Sequence, residues 1–283
     1  MPRIVSLLPA ATEIVCALGA RDQLVGRSHE CDYPAEVQRL PIVSRPALEL
    51  VGLTQAEIDA AVTSRMRSGE SLYLVDEALL RSLEPDLVLT QDLCQVCAPS
   101  GNELSRAILS LPTRPEVLYL TPRTLAEIDD NIVAVGRAIG REAEALKLVG
   151  SNRLRVEAVR AATSGRPRRR VVFLEWTDPL FCAGHWVPEM IEIAGGEDPF
   201  GRPGGDSIRI ELDDVREFGP EIVVVAPCGF GLAEARRFAG ELVKIPNAAI
   251  SPVDANAFFA RPGPRYADGI ALLQRLFEEV PTV

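Results

Sequence analysis

Basic charge is scarce in this chain: 30 Lys and Arg stand against 40 Asp and Glu, a formal net charge of −10 at pH 7. A nucleic-acid partner needs a basic face to neutralise phosphates, so that class is excluded. The one basic run, Arg166 to Arg170, is interrupted by Pro167 and reads as a solvated inter-domain turn. No apolar run approaches the roughly 18 residues that a membrane-spanning helix requires, which argues against membrane insertion. Six cysteines in 283 residues are too sparse for the disulfide framework of a small secreted domain. Gly-x-Ser-x-Gly, P-loop and His-Glu-x-x-His motifs are all missing, and Gly229-Phe230-Gly231 is too short for a dinucleotide fingerprint. Catalysis is left without a recognisable centre. Met1-Pro2-Arg3 leads straight into Ile4 to Leu8 with no basic leader or cleavage site. The expectation is a cytoplasmic protein, or a periplasmic or lipid-anchored one if an export segment has been removed, and in either case a monomer.

What is present is an α/β rhythm. Short apolar runs at Ile4 to Leu8, Leu24 to Gly26, Pro41 to Ser44, Leu87 to Leu89 and Val117 to Leu120 alternate with amphipathic stretches. Thr54 with Glu57 forms a capping box at a helix start, and Thr124 with Glu127 forms a second. From Thr124 the helical pattern persists to about Ala162, with Gly136, Gly140 and Gly150 as points of bending or breakage. Unbroken, it would run roughly 60 Å. All-apolar strands then resume at Val171 to Leu174 and Ile222 to Ala226, the pattern of strands buried on both faces. The expected fold class is α/β, with two lobes of mainly parallel sheet joined by a long backbone helix. The lobes span residues 1–121 and 168–283, with the linking helix over 122–167.

The chemistry-bearing residues cluster after strands. Ser28-His29-Glu30-Cys31-Asp32-Tyr33-Pro34 follows one strand, and Gln91-Asp92-Leu93-Cys94-Gln95-Val96-Cys97 follows another. In parallel α/β sheets such loops collect at one edge, where ligands bind. His29, Cys31, Cys94 and Cys97 make up the four donors of a tetrahedral zinc site; an iron–sulfur site or a redox dithiol uses the same thiols. Two other readings stay open: His29 ligates the metal of a bound chelate, or these side chains line a cleft or pack. Cys182 and His185 follow a strand in the second half, and Cys228 follows the Ile222 to Ala226 strand. Glu175 and Asp178 read as polar ligand contacts before they read as an acid–base pair.

Ile4-Val5-Ser6-Leu7-Leu8-Pro9-Ala10-Ala11-Thr12-Glu13 resembles the opening of the helical-backbone metal-chelate receptors, the solute-binding proteins of ABC importers for cobalamin, haem and siderophores. Agreement continues in order through Asp32-Tyr33-Pro34, Glu84-Pro85-Asp86-Leu87-Val88, the long helix and Val172-Phe173-Leu174-Glu175. Pro179-Leu180-Phe181 with Gly184, Gly195-Gly196-Glu197-Asp198-Pro199-Phe200, Pro220-Glu221-Ile222 and Phe258-Phe259-Ala260-Arg261-Pro262-Gly263 complete it. Within the family the chain is most similar to the cobalamin receptors.

The resemblance implies a corrinoid or related metal chelate held in a cleft between two lobes, without catalysis. It places Pro9, Ala10, Thr12, His29, Glu30, Tyr33, Asp92 and Leu93 at the ligand on the first lobe. On the second it places Trp176, Asp178, Phe181, His185, Trp186, Phe258, Phe259 and Arg261. Aromatic faces suit a flat, apolar ring with polar edges. It also implies an ABC permease as partner of an exported form, reached through acidic residues such as Asp76 or Glu77 and Glu211 or Asp213. Two departures stand out: the cysteine loop occupies the place of an aromatic after the fourth strand, and Phe258 stands where a second stacking Trp belongs. The competing class is an intracellular metal or thiol-redox sensor; a small-molecule hydrolase or lyase is more distant.

Overall fold

The computed structural model describes residues 1–91, 107–109, 111–243 and 245–281. The chain divides into two compact units. The first comprises Met1–Thr121 with Asp129–Val149, and the second Pro122–Ile128 with Gly150–Val283.

In the first unit β1 (Ile4–Ser6), β2 (Leu24–Ser28), β3 (Ile42–Pro46), β4 (Tyr73–Val75), β5 (Leu87–Thr90) and β6 (Glu116–Tyr119) form one sheet in the order β4-β3-β2-β1-β5-β6. Every pairing is parallel except β3 with β4. β5 is buried at all four positions, as a strand covered on both faces must be. The Pro9–Ala17 helix packs on β1 and β2, and the Glu77–Leu83 helix on β2 and β3. Val5, Leu7, Val43, Leu80 and Val88 make the shared core beneath them. β4 lies in the short apolar run Leu72 to Val75, which the sequence reading passed over.

The Gln55–Arg67 helix opens with both arms of its capping box. Thr54 Oγ1 accepts from Glu57 N at 3.3 Å, and Glu57 Oε2 accepts from Thr54 N at 2.8 Å. The second box is half formed. Thr124 Oγ1 accepts from Glu127 N at 3.2 Å, whereas the Glu127 carboxylate takes the backbone amide of Arg123. The helical segment beyond it is two helices, Leu125–Ala138 and Glu142–Thr163, instead of one. Gly140, at φ +71°, takes the left-handed conformation that ends the first. At Gly136 a Cβ would lie 2.5 Å from Ala145 Cβ, so glycine lets the second helix start close against the first.

In the second unit β7 (Arg169–Thr177), β8 (Leu180–Cys182), β9 (Gly184–His185), β10 (Gly196–Glu197), β11 (Arg202–Pro203), β12 (Ile222–Val225) and β13 (Ala249–Pro252) build two sheets. The larger runs β10-β7-β12-β13 in parallel, with β8 added antiparallel to β7; β9 and β11 pair separately. The Leu232–Glu241 helix packs on β12 and β13, and the Tyr266–Glu279 helix on Val187–Ile193. The run Arg166 to Arg170 is exposed except at Arg169, and it leads into β7. Arg169 Nη1 donates to the carbonyls of Phe277 (3.0 Å) and Val280 (2.8 Å), and Arg166 pairs with Glu278 at 2.9 Å. The basic run ties the start of β7 to the C-terminal helix.

Gly26 sits in the middle of the first sheet, where an added Cβ would lie 2.7 Å from Leu83 Cδ1 and 2.8 Å from Val43 Cγ2. Gly26→Ala is therefore expected to lower stability by about 1–3 kcal/mol through overpacking. Urea denaturation at constant m-value measures it.

Candidate functional site

β1 lies between β2 and β5, so the chain winds outward from it in both directions. Such a switch in strand order is where ligands bind in open parallel sheets. Pro9 and Ala10 occupy the first turn of the helix after β1, and with Thr12 they are buried. Thr12 Oγ1 lies 2.8 Å from Ser6 Oγ and 3.1 Å from Cys31 Sγ. Cys31, 1% exposed, thus sits against the start of that helix, beneath its own loop. Cys16 is half-buried, and burial pushes its thiol up to about 11, far from the reactive range.

The loop after β2 is organised by Arg27. This guanidinium is buried at 7% exposure and donates to the carbonyls of Ser28 (2.9 Å), His29 (3.3 Å), Cys31 (3.1 Å) and Gln38 (3.0 Å). His29 is fixed from the opposite side. Ser44 O accepts its backbone N–H at 3.0 Å and lies 3.1 Å from ring Nδ1. A carbonyl can only accept, so the Ser44 contact calls for a proton on Nδ1, which also lies 3.3 Å from Ser28 Oγ; the Glu30 carboxylate, 3.1 Å from Nε2, calls in the same way for a proton there. The Tyr73 ring stands 6.0 Å away, and Tyr33 is half exposed.

In the second unit the edge after β7, β12 and β13 carries the aromatic residues. Trp176 Nε1 donates to Asp178 O at 3.0 Å, and its ring lies 5.9 Å from Phe230, which in turn meets Phe238 edge-on at 5.2 Å. Asp178 is exposed, and Phe181 is half-buried with the Arg209 guanidinium 5.6 Å from its ring centre. Phe258 is half-buried with Arg265 at 5.8 Å. Trp186, Phe259 and Arg261 are buried: Trp186 Nε1 donates to Phe259 O at 3.0 Å, and Phe259 packs edge-on against Phe173 at 5.2 Å. Those side chains support the edge from within and offer little surface to a ligand.

His185, at φ +52°, bonds through Nε2 to Asp206 Oδ1 at 3.1 Å, and Arg123 donates to the same carboxylate oxygen at 3.1 Å. Burial lowers the His185 pKa, with Asp206 pulling against it. Glu175 accepts from Gly184 N at 2.8 Å and from Ser207 Oγ, and desolvation raises its pKa. Gly184 must be glycine, since a Cβ there would lie 2.5 Å from Ser207 N. Asp198 accepts the amides of Phe173 (2.9 Å) and Phe200 (3.0 Å).

Asp92, Leu93, Cys94 and Cys97 lie outside the described residues, and with them two of the four donors of the expected zinc set. Among the described residues no group of three or more His, Cys, Asp or Glu is placed to hold a metal ion. Arg27, Ser44, Phe230 and Ser207 are site residues that sequence reasoning passed over. The only sequence signal was a charged Arg27 inside an otherwise apolar strand. Asp76 caps the Glu77–Leu83 helix by accepting Leu79 N at 2.9 Å, and Asp213 pairs with Arg216 at 3.1 Å; Glu77 and Glu211 are exposed.

Two α/β units, each with its polar and aromatic side chains on loops after parallel strands, define a binding protein of the two-unit solute-receptor kind. The chain belongs to the periplasmic binding protein family, which it matches over residues 4–249. It is 25% identical over 272 residues to the vitamin B12-binding protein of Vibrio cholerae, covering 95% of this chain and 86% of that one. It is 24% identical over 276 residues to an uncharacterised ABC transporter substrate-binding lipoprotein of Bacillus subtilis, covering 95% and 77%. The crystal structure of the periplasmic vitamin B12 binding protein of Vibrio cholerae shares the fold, with a TM-score of 0.66 at 22% identity over 98% of this chain and 96% of that one. The expected cytoplasmic location finds no support here, because these relatives are a periplasmic protein and a lipoprotein by name. Among the described residues no helix is long and apolar enough to cross a membrane.

Two outcomes follow from the buried charges. Arg27→Met leaves several carbonyls of the His29 loop without their donor and is expected to cost about 2–4 kcal/mol, read by chemical denaturation. Burial lifts Asp198 from 3.8 to about 6 despite the amides that favour its charged form. The folded protein thus keeps this proton where the unfolded chain has lost it. Its contribution to stability is full below about pH 4 and is lost as the pH rises through about 6. The stability advantage of wild type over Asp198→Asn should shrink across that window and level off above it.

Proposed function

We propose that this protein binds a cobalamin, another corrinoid or a related metal chelate at the carboxyl edges of its strands, without transforming it. In this reading it is the substrate-binding component of an ABC importer, acts outside the cytoplasmic membrane, and hands its ligand to a permease. Exposed carboxylates of both units, Asp76 and Glu77 in one and Glu211 and Asp213 in the other, are the proposed docking points.

One observation carries the reading. In a chain with only 5% aromatic residues, accessible rings stand at strand ends or beyond them in both units: Tyr33 in the first, and Trp176 at the end of β7, Phe181 in β8 and Phe258 after β13 in the second. Flat apolar macrocycles with polar rims are held by such faces, with a few charged groups at the margin. The relatives named as vitamin B12-binding proteins align over nearly the whole chain, which supports the same ligand class.

Titration of the purified protein with cobalamin, cobinamide and haem, followed by visible spectroscopy and calorimetry, tests it. At least one should bind at micromolar concentration or below. Trp176→Ala should weaken that binding about fivefold, the value of roughly 1 kcal/mol of ring stacking. Failure of every tetrapyrrole to bind at micromolar concentration would overturn the proposal.

A further inference from the structure

The loop after β2 carries a more specific chemistry than aromatic stacking, and it rests on the chelate-binding reading above. Three features fix a single imidazole there. Arg27 holds the carbonyls of Ser28, His29 and Cys31 from beneath. Ser44 O takes both the backbone N–H of His29 and the ring Nδ1–H, so both lone pairs of that carbonyl are engaged. Nε2 is left pointing away from the sheet toward Glu30, at a side chain 22% exposed. An imidazole whose Nδ1–H is anchored on a backbone carbonyl has its orientation set for metal ligation through Nε2 once that nitrogen gives up its proton and its contact with Glu30. Cys31, by contrast, is buried against Thr12 and Ser6 and faces the helix start.

We infer that His29 Nε2 is an axial ligand to the metal of the bound chelate, which for a corrinoid requires an exchangeable axial position. In the binding step the Nε2 lone pair forms a bond to cobalt, and the water on that face leaves intact with its own electron pair. If Nε2 carries a proton, that proton passes to the Glu30 carboxylate beside it, so charge and atoms balance without an oxidant or reductant. Arg27 and Ser44 are positioning residues in this scheme. A corrinoid whose two axial positions are held by cyanide offers no such bond and is bound by ring contacts alone.

The test uses full-length protein with diaquocobinamide and dicyanocobinamide, and with cobalt(II) cobinamide for electron paramagnetic resonance. Wild type should split the cobalt(II) lines into a triplet, from one coordinated nitrogen, and should bind the diaquo form more tightly than the dicyano form. His29→Ala and His29→Gln should lose the triplet and about tenfold in affinity for the diaquo form. Their loss of affinity for the dicyano form should be much smaller, and circular dichroism with chemical denaturation reports that the variants are folded. Binding of both corrinoids with no triplet in wild type, or a triplet that persists in His29→Ala, would overturn the inference and leave the chelate-binding reading standing. No binding of either corrinoid would overturn the inference, and the chelate-binding reading would then be decided by the cobalamin and haem titrations.

Discussion

Parallel pairing of β1 with β2 on one side and β5 on the other is the constraint from which the first unit follows. A parallel neighbour can be reached only by a crossover, so each strand ends at the same edge and hands its chain to a helix or long loop. Residues that follow β1 and β2 are thereby neighbours at that edge, as Thr12 and Cys31 are. β7 plays the same part in the second unit, between β10 and β12. There the end of β7 carries Trp176, and the segments after β12 and β13 carry Phe230 and Phe258.

Within each unit the edge is set by a charge taken out of water and satisfied by backbone dipoles. In the first, Arg27 converges on four carbonyls; in the second, Asp198 and Glu175 gather amide donors. Burying an ionised group without such partners would cost several kcal/mol, so these networks hold their loops in one arrangement. The two cases differ in outcome. Arginine stays charged at any pH a protein meets, whereas Asp198 answers to burial by holding its proton up to about pH 6. A loop built on Arg27 is insensitive to pH; the turn around Asp198 is not.

Much of this was legible in the sequence because it depends on patterns that backbone geometry enforces. The all-apolar runs at Val171 to Leu174 and Ile222 to Ala226 became adjacent parallel strands, and Thr54 with Glu57 made its capping box in full. Patterning failed where a single residue decides. Gly140 breaks a helical periodicity that is otherwise unbroken, and nothing in the spacing of apolar residues tells a bend from a stop. Exposure was not legible either. Trp186 and Phe259 looked like ligand contacts from their place in loops, but each fills a core position and finds its partner within the protein. Arg27 was hidden for the opposite reason: charged residues are expected at surfaces, and its four acceptors are carbonyls that leave no mark in a sequence.

The central claim is that a metal chelate is bound at the carboxyl edge of the parallel strands. A crystal structure of the protein soaked with or grown in diaquocobinamide, with anomalous data collected at the cobalt absorption edge, tests it most directly. The account predicts one strong cobalt peak beside the loop after β2, at about 2 Å from His29 Nε2 as expected for a metal–imidazole bond, with the corrin in contact with the aromatic side chains that follow the strands. A corrin seated at the amino-terminal ends of the strands, or a cobalt peak remote from both carboxyl edges, would contradict it.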